Sequence, residues 1–253
     1  MKITFLGTGT SQGVPVIGCT CGVCRSLDYR DKRLRPSVHL AVDGQSLVID
    51  TGPDFRQQML REDIRTLDAV IFTHSHKDHT AGLDDVRAYN FLQGIDMPVY
   101  AQAPVLKQLG AEYAYAFEPQ RYPGIPRLKL FTLTDAPFHI GPTEVVPLPV
   151  MHLNMPVLGF RVGDFCYITD ANAIPEATRE RMKGTRVLVL NALQREKHVS
   201  HFNLEEAIET AKQIGAAQTY LTHISHKMGL HKEVEGELPG GIALAYDGLT
   251  VTL

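Results

Sequence analysis

The sequence predicts an α/β or α+β protein with layered sheets, and three observations support this prediction. Short apolar runs recur along the chain, segments with helical spacing lie between them, and the composition is that of a compact protein. The chain has 253 residues, of which 44% are hydrophobic and 21% charged. A chain of this length buries about 70–75% of its surface on folding, so a large core needs no cross-links. Disorder, collagen-like structure and a small disulfide-stapled fold are excluded.

The predicted elements alternate along the chain. Strands are expected at residues 2–6, 38–42, 47–50, 69–73, 98–100, 144–148, 159–162, 165–169, 187–190 and 219–221. Helices are expected at residues 55–60, 83–92, 104–109, 175–182 and 204–214. The last helix has Asn203 as a candidate N-cap and two glutamates in its first turn, which favours a helix start there.

No long linker or low-complexity stretch divides the chain, so we expect one domain over residues 1–253. The Pro- and Gly-containing segment 122–126 predicts a loop. Segments 70–76 and 220–226 both run from an apolar strand into Thr-His and a second His. This faint echo predicts two similar halves that present strand ends at a shared seam.

The charge balance restricts the classes of partner. There are 25 Lys and Arg against 28 Asp and Glu, a net charge of −3, so no global field attracts nucleic acid or an anionic membrane. Nowhere do eighteen apolar residues run together, and Gly7 interrupts an N-terminal apolar run that is too short for a secretory signal. We therefore expect a cytoplasmic protein with no membrane partner.

The strongest chemical signal directly follows the predicted strand that begins at residue 69. Four potential ligands lie within six residues there: His74, His76, Asp78 and His79. Neutral imidazoles and a carboxylate suit Zn²⁺, Mn²⁺ or Fe²⁺, and a strand end holds such side chains rigidly. The turn can send His74 and His76 to one side and the other two to the opposite side. A metal site is therefore predicted here.

This H-x-H-x-D-H sequence resembles the metallo-β-lactamase superfamily. Its extension through residues 80–83, Thr-Ala-Gly-Leu, is similar to the form found in phosphodiesterase-type members. The resemblance covers essentially the whole chain and implies an αββα four-layer sandwich with metals at one edge of two facing sheets. An α/β fold of that kind agrees with the strand-rich pattern.

The resemblance also implies further site residues, each at the end of a predicted strand. Asp50 matches an early aspartate that supports the site without binding metal, and His152, Asp170 and His223 match the remaining ligands. Asp170 corresponds to the carboxylate that bridges two metals. The implied ligand sets are His74, His76, His152 and Asp170 for one ion, and Asp78, His79, Asp170 and His223 for the other.

A second signal is three cysteines at C-x-C-x₂-C spacing in a Gly-containing loop, Cys19, Cys21 and Cys24. Structural Zn²⁺ requires four ligands, and Cys166 is a poor fourth because it lies inside a predicted strand. His226 is better placed, three residues after His223. The cysteine loop with this late histidine resembles the PhnP-like branch of the superfamily, which implies a structural zinc. Three unligated surface thiols are the alternative.

By resemblance, the expected reaction is hydrolysis of a small or cyclic phosphodiester, such as phosphoribosyl 1,2-cyclic phosphate. Two divalent ions, manganese or zinc or else iron, would hold a bridging hydroxide. His201 matches a histidine that can protonate the leaving oxygen or bind phosphate, and His198 is a candidate to share that role. Asp78 and His201 are therefore the expected catalytic residues.

Other functions remain as alternatives. The same metals and fold serve ribonucleases, thioesterases and lactonases, and a non-catalytic zinc-binding protein is a further alternative. We expect a small phosphorylated substrate rather than nucleic acid, and a homodimer is left open. The basic residues between Arg25 and Arg35 are typical of a solvated face, or could steer a phosphorylated substrate.

Overall fold

A computed structural model describes residues 1–118 and 124–253, so the loop expected at residues 122–126 is described only from Gly124 onward. The strands are β1 (Lys2–Gly7), β2 (Ser37–Val42), β3 (Gln45–Ile49), β4 (Ala69–Ile71), β5 (Met97–Gln102), β6 (Leu128–Leu133), β7 (Phe138–Ile140), β8 (Thr143–His152), β9 (Met155–Val162), β10 (Phe165–Ile168), β11 (Val187–Asn191), β12 (Gln218–Thr222), β13 (Ile242–Leu244) and β14 (Thr250–Thr252). The helices are α1 (Gly22–Arg25), α2 (Phe55–Arg61), α3 (Lys77–Thr80), α4 (Arg87–Gln93), α5 (Ala103–Glu112), α6 (Glu176–Met182), α7 (Leu204–Ile214) and α8 (His231–Glu237).

Two seven-stranded sheets organise the molecule. One has the order β14-β1-β2-β3-β4-β5-β6, and the other has the order β13-β12-β11-β10-β9-β8-β7. In each sheet an antiparallel part, β1 to β3 or β7 to β10, continues into a parallel part, β3 to β6 or β10 to β13. The carboxyl ends of the parallel strands are therefore available at one edge of each sheet, where binding sites of such sheets form.

The two halves are similar, but the sequence echo paired the wrong strands. The first parallel strand of each sheet is β3 or β10, and the second is β4 or β11. The echo joined β4 to β12, which occupies the third parallel position of its sheet. Strand ends from both sheets nevertheless meet, since Gly9 forms a parallel bridge with Ile224.

Each central strand is buried on both faces, and this arrangement makes four layers. Along β11, Val187 and Val189 face the core between the two sheets, whereas Leu188 and Leu190 face a second core that includes residues of α7 and α8. On the other sheet, Ile71 faces the central core and Val70 faces a third core that includes residues of α2, α4 and α5. The order of layers is helix, sheet, sheet, helix, so the αββα prediction is confirmed.

Several expected boundaries shift for identifiable reasons. β8 runs to His152, past the predicted end at residue 148, although it contains two prolines. Pro147 and Pro149 are tolerated because β7 pairs with β8 only at residues 143–145, and among the described strands no other one pairs with that edge at the two prolines. The helix expected at 83–92 divides into a 3₁₀ turn and α4. At the start of α7, Asn203 and Glu206 form the reciprocal pair of a capping box, which confirms the predicted N-cap.

Local sequence patterns did not predict β6, β7, β13 and β14, nor α1, α3 and α8. β7, β13 and β14 have three residues each, and all four strands lie towards the edges of their sheets, so alternation along them is weak. In the part of the chain that the structure describes, no helix is long and apolar enough to cross a membrane.

Candidate metal centre

The predicted ligands come together where strands of both sheets end. His74 and His76 follow β4, Asp78 and His79 lie on the four-residue helix α3, and His152 is the last residue of β8. Asp170 and His223 follow β10 and β12 within two residues and one residue. Backbone hydrogen bonds hold the strands rigidly, so the backbone positions from which these side chains project are fixed.

Three of the residues at this edge have left-handed backbone conformations that non-glycine residues rarely adopt. The φ angles are 65° at Asp50, 54° at Asp170 and 57° at His223. Such a conformation costs about 1–3 kcal/mol and persists only where the surroundings enforce it. Asp50 and Asp170 follow the corresponding strands β3 and β10, so each half of the molecule places one aspartate at the seam in the same unusual way.

The ligand atoms form two groups. In each group, one atom from every residue lies within 4.8 Å of the others: His74, His76, His152 and Asp170 in the first, and Asp78, His79, Asp170 and His223 in the second. We call the two groups together the strand-end cluster. Each residue therefore lies in the ligand set that was expected for it.

Asp170 belongs to both groups through different oxygens. Its Oδ1 lies 3.3 Å from His79 Nε2 and 3.1 Å from His223 Nε2. Its Oδ2 lies 3.8 Å from His74 Nε2. Metal–ligand distances of about 2.1 Å in tetrahedral geometry place neighbouring N and O ligands about 3.4 Å apart. The two oxygens of the carboxylate therefore face the two different groups at distances close to this separation.

Unpaired buried nitrogens show that divalent cations fit here. Among the described residues, Nε2 of His74, His79 and His223 is buried without a hydrogen-bond partner, and each such atom costs about 1–3 kcal/mol if nothing binds it. The opposite ring nitrogens of two histidines are held by protein oxygens: Asp50 Oδ2 lies 2.7 Å from His79 Nδ1, and Thr73 Oγ1 lies 2.9 Å from His74 Nδ1. Such contacts orient a metal-binding imidazole so that Nε2 faces the ion.

The charges in the cluster favour the same conclusion. Burial lowers the pKa of His74 well below its usual value, so this imidazole is neutral and keeps its lone pair. Burial also acts against the charged form of His223, but the Asp170 carboxylate raises its pKa to about 9. Despite its own burial, Asp170 has a pKa well below the usual range because His223 and His79 lie beside it. A cation that binds Asp170 and His223 would displace the proton on His223.

A separate group, which we call the cysteine cluster, consists of Cys19, Cys21, Cys24 and His226. The three sulfurs lie 3.3, 3.4 and 3.5 Å from Nδ1 of His226. Tetrahedral zinc with Zn–S near 2.3 Å and Zn–N near 2.0 Å gives S···N separations of about 3.6 Å. The backbone N–H of Cys24, followed by His226, lowers the pKa of Cys21 to about 6, which favours the thiolate.

Cys166, which the sequence rejected as a zinc ligand, is buried in β10 and contacts Thr185 Oγ1 at 3.0 Å. Burial raises the pKa of its thiol to about 11. The cysteine cluster thus combines the four residues that the sequence selected and leaves Cys166 in the core.

His201 lies against the strand-end cluster but belongs to neither group. Its Nε2 is 3.2 Å from Asp170 Oδ2. On the other side of the ring, its Nδ1 is 3.0 Å from Ser200 Oγ and 3.3 Å from His198 Nδ1. Burial lowers the pKa of His201 to about 4, and an anionic group next to Nε2 would raise it. His198 is exposed, so the pair connects the cluster to solvent.

One residue that the sequence analysis missed joins the loops around this site. Asn172 accepts a hydrogen bond from the Leu153 backbone N–H at 2.8 Å and donates one to the Val199 carbonyl at 3.2 Å. It thereby connects the segment after Asp170 to the loops that follow His152 and precede His201. The sequence feature that could have identified Asn172 is its position two residues after Asp170, a predicted ligand at a strand end.

The basic segment after the cysteine cluster is not uniformly solvated, so the solvated-face interpretation is wrong for Arg33. Its Nη1 donates hydrogen bonds to the Ala245 carbonyl at 2.6 Å and to Thr8 Oγ1 at 2.8 Å, and its Nη2 lies 3.1 Å from His231 Nδ1. These acceptors compensate for removing the charge from water. Arg33 therefore holds together segments that are distant in the sequence.

Comparisons with known proteins agree with this geometry. Residues 45–224 match the family model described as "Beta-lactamase superfamily domain". A solved structure described as a new diphosphatase from the PhnP family has a TM-score of 0.93 and 40% sequence identity, over 99% of this chain and 96% of that chain.

Two curated relatives carry different names. An octanoyltransferase of Porphyromonas gingivalis is 43% identical over 98% of this chain, which spans only 51% of that relative's length. A ribonuclease Z of Mycobacterium sp. strain KMS is 28% identical over 88% of this chain and 84% of its own length. The chain is therefore similar to proteins whose names describe different reactions.

Proposed function

This chain belongs to the metallo-β-lactamase superfamily, in its PhnP-like branch, and from this premise we propose that it is a binuclear metal-dependent phosphodiesterase. The coarser statement, a metal-dependent hydrolase of this fold, follows from the family. The phosphodiester preference is supported by a diphosphatase relative and by ribonuclease Z relatives, all of which bear names of enzymes acting at phosphorus. The proposed substrate is a small or cyclic phosphodiester.

The observation that carries the proposal is the double contact of Asp170. Its two oxygens face two different groups of histidines, and the second oxygen also faces His201. When bound, two divalent cations would lower the pKa of water towards about 7 and offset charge on phosphoryl oxygens. The proposed ions are manganese, zinc or iron, because imidazole and carboxylate ligands suit all three. A third ion, zinc, is proposed for the cysteine cluster.

The protein's own residues would orient and protonate the substrate. His201 Nε2 lies 3.2 Å from Asp170 Oδ2, beside the carboxylate shared by both ligand groups. There it can donate a hydrogen bond to a phosphoryl oxygen and pass a proton to the leaving oxygen. Apart from His76, which is exposed, the strand-end cluster is buried, and burial strengthens each of these electrostatic contacts.

A diphosphate substrate is the second candidate, because the relative with 40% identity is a diphosphatase. Cleavage of a P–O–P bond needs the same charge compensation at phosphorus. Because a phosphate leaves more readily than an alcohol, it needs less help from a general acid. The name octanoyltransferase belongs to a relative about twice as long as this chain, so acyl transfer is not our proposal. Consistent with the thiol-rich cluster, we propose a cytoplasmic location.

The test is an activity comparison on purified protein loaded with Mn²⁺ or Zn²⁺. The substrates are bis-p-nitrophenyl phosphate, adenosine 2′,3′-cyclic phosphate, a dinucleoside diphosphate and octanoyl-coenzyme A. We expect hydrolysis of at least one of the two phosphodiesters, no thioester hydrolysis, and loss of activity after chelation. Hydrolysis of the thioester alone would contradict the proposal, and hydrolysis of the diphosphate alone would replace it with the second candidate.

A further inference from the structure

Asn191 is a fully buried polar residue outside both ligand groups of the strand-end cluster. It is the last residue of β11. The backbone pairing between β10 and β11 runs as far as Ile168 and Leu190, and at the next position Asn191 pairs with Thr222 of β12. Asn191 therefore stands at the point where the chain that leaves β10 turns towards the strand-end cluster.

The side-chain amide of Asn191 makes a two-point contact with the backbone of one residue, Ala171. Its Oδ1 accepts a hydrogen bond from the Ala171 N–H at 2.8 Å, and its Nδ2 donates one to the Ala171 carbonyl at 2.9 Å. A primary amide can do this because it carries a donor and an acceptor on one planar group. Both residues are fully buried, which strengthens these bonds. The contact therefore fixes the position of the Ala171 backbone.

Ala171 directly follows the shared carboxylate of the strand-end cluster. Asp170 has a φ angle of 54°, and such a conformation in a non-glycine residue persists only where neighbouring contacts enforce it. The hydrogen bond from the Ala171 N–H fixes the peptide group that joins Asp170 to Ala171. The direction in which the Asp170 carboxylate projects therefore depends on Asn191.

The other half of the molecule holds its own strand-end aspartate in the same way, but with backbone groups. Thr51 directly follows Asp50. The Thr51 N–H donates a hydrogen bond to the His79 carbonyl at 2.7 Å, and the Thr51 carbonyl accepts one from the Gly82 N–H at 2.8 Å. Both halves thus bond the N–H and the C=O of the residue after the aspartate. The single side chain of Asn191 supplies what two backbone groups supply in the first half.

The carbonyl of Ala171 also fixes the segment that carries His201. The Phe202 N–H donates a hydrogen bond to this carbonyl at 2.8 Å, and the Phe202 carbonyl accepts one from the Leu193 N–H at 2.9 Å. His201 directly precedes Phe202, and its Nε2 lies 3.2 Å from Asp170 Oδ2. The same backbone frame therefore sets the contact between the shared carboxylate and the expected proton donor.

We propose that Asn191 is a positioning residue of the metal centre. It acts through Ala171 to hold the Asp170 carboxylate between the two ligand groups and beside His201. The inference rests on the proposed function, in which Asp170 is the shared ligand of two ions. Asn191 is not itself a ligand and takes no part in bond cleavage, so removing its amide changes metal binding and turnover while every ligand remains.

The experiment measures Mn²⁺ binding by calorimetry after chelation has emptied the strand-end cluster. Asn191→Leu keeps the approximate size of the side chain and removes both hydrogen bonds. We expect its dissociation constant for Mn²⁺ to be about 10- to 100-fold weaker than in the unmodified protein, as when a group that orients metal ligands is lost. At saturating Mn²⁺, kcat for bis-p-nitrophenyl phosphate should fall by about tenfold or more, because the shared carboxylate is misplaced. Electron paramagnetic resonance should show weaker magnetic coupling between the two Mn²⁺ ions.

Asn90→Leu is the matched control. Asn90, on α4, is also buried, and its side chain also bonds both backbone groups of one residue. Its Oδ1 accepts from the Arg127 N–H at 2.9 Å, and its Nδ2 donates to the Arg127 carbonyl at 3.0 Å. Loss of these bonds should lower the melting temperature but leave the Mn²⁺ dissociation constant and kcat within about threefold. If Asn90→Leu and Asn191→Leu have the same Mn²⁺ dissociation constant, the positioning role is overturned.

A second pair of variants decides the question if Asn191→Leu does not fold. Asn191→Ser places no apolar group against the Ala171 backbone, but one short hydroxyl cannot replace both hydrogen bonds. Its Mn²⁺ dissociation constant should be at least about tenfold weaker than that of Asn90→Ser. Equal dissociation constants in these two variants would refute the proposal.

The positioning role and the proposed function fail in distinguishable ways. If the unmodified protein binds Mn²⁺ but hydrolyses no phosphodiester, the phosphodiesterase proposal fails, and the dissociation constants of the asparagine variants still decide the role of Asn191. If a phosphodiester is hydrolysed and those dissociation constants are equal, the phosphodiesterase proposal stands and the positioning role is refuted.

Discussion

The strand-end cluster and the cysteine cluster bind their candidate ions through opposite kinds of structure. The first is buried except for His76 and takes its ligands from the ends of strands in both sheets, whereas the second lies in a loop where Cys21 is exposed. They are nevertheless connected, because His223 belongs to one and His226 to the other. Between them, Ile224 pairs with Gly9, so a single short segment fixes a ligand for each cluster.

The difference distinguishes a candidate catalytic metal site from a candidate structural zinc site. In the strand-end cluster, Asp170 is shared by both groups and His201 stands beside it without joining either, so a substrate has charged groups to approach. In the cysteine cluster, three sulfurs and one nitrogen offer the four donors that a closed tetrahedral zinc site would require. A closed site of this kind contributes to folding, whereas an open one can carry out chemistry.

The variant with the largest expected effect disrupts the strand-end cluster and leaves the cysteine cluster intact. Asp170→Asn removes the shared charge, so both catalytic ions should be lost or weakened and kcat/KM for a phosphodiester should fall by about 10³-fold or more. Elemental analysis should still find about one zinc per chain, bound at the cysteine cluster. Full activity in this variant would show that Asp170 does not bridge two ions.

The second prediction separates metal binding from proton transfer within the strand-end cluster. His201→Gln should keep the metal content of the unmodified protein but lower kcat by about 10²- to 10⁴-fold for substrates with an alcohol leaving group. The loss should be much smaller for p-nitrophenolate, which departs without a proton. His198→Gln is the companion variant, because His198 contacts His201 but not Asp170. An equal loss for both leaving groups would refute the role of proton donor.

The smallest expected effect on activity comes from the cysteine cluster. Cys21→Ser should remove the structural zinc and lower the melting temperature by roughly 5–15 °C, because metal binding contributes directly to folding free energy. Activity at 25 °C should stay within about threefold. Cys166→Ala is the control, since it removes a buried thiol that lies outside the cluster. An unchanged melting temperature with loss of zinc would show that zinc at the cysteine cluster does not stabilise the fold.

Local patterns predicted a large part of this molecule. Short runs of apolar residues placed β2, β10 and β11 within a residue or two, because each of these strands is largely buried. The helix α7 was predicted to the residue, since its N-cap, acidic first turn and following glycine all agree. The three-residue strands β7, β13 and β14 depend on neighbours that are distant in sequence, so local patterns could not reveal them.

By itself, the sequence indicated seven of the candidate ligands, because H-x-H-x-D-H and C-x-C-x₂-C place ligand types at short, readable spacings. The other four, His152, Asp170, His223 and His226, rested on the family resemblance. Only the tertiary structure decided how they combine. The contacts of the two Asp170 oxygens and the contact of His201 with Asp170 depend on distances between residues far apart in the chain. Such distances are set by how two twisted sheets pack against each other, and no local pattern records them.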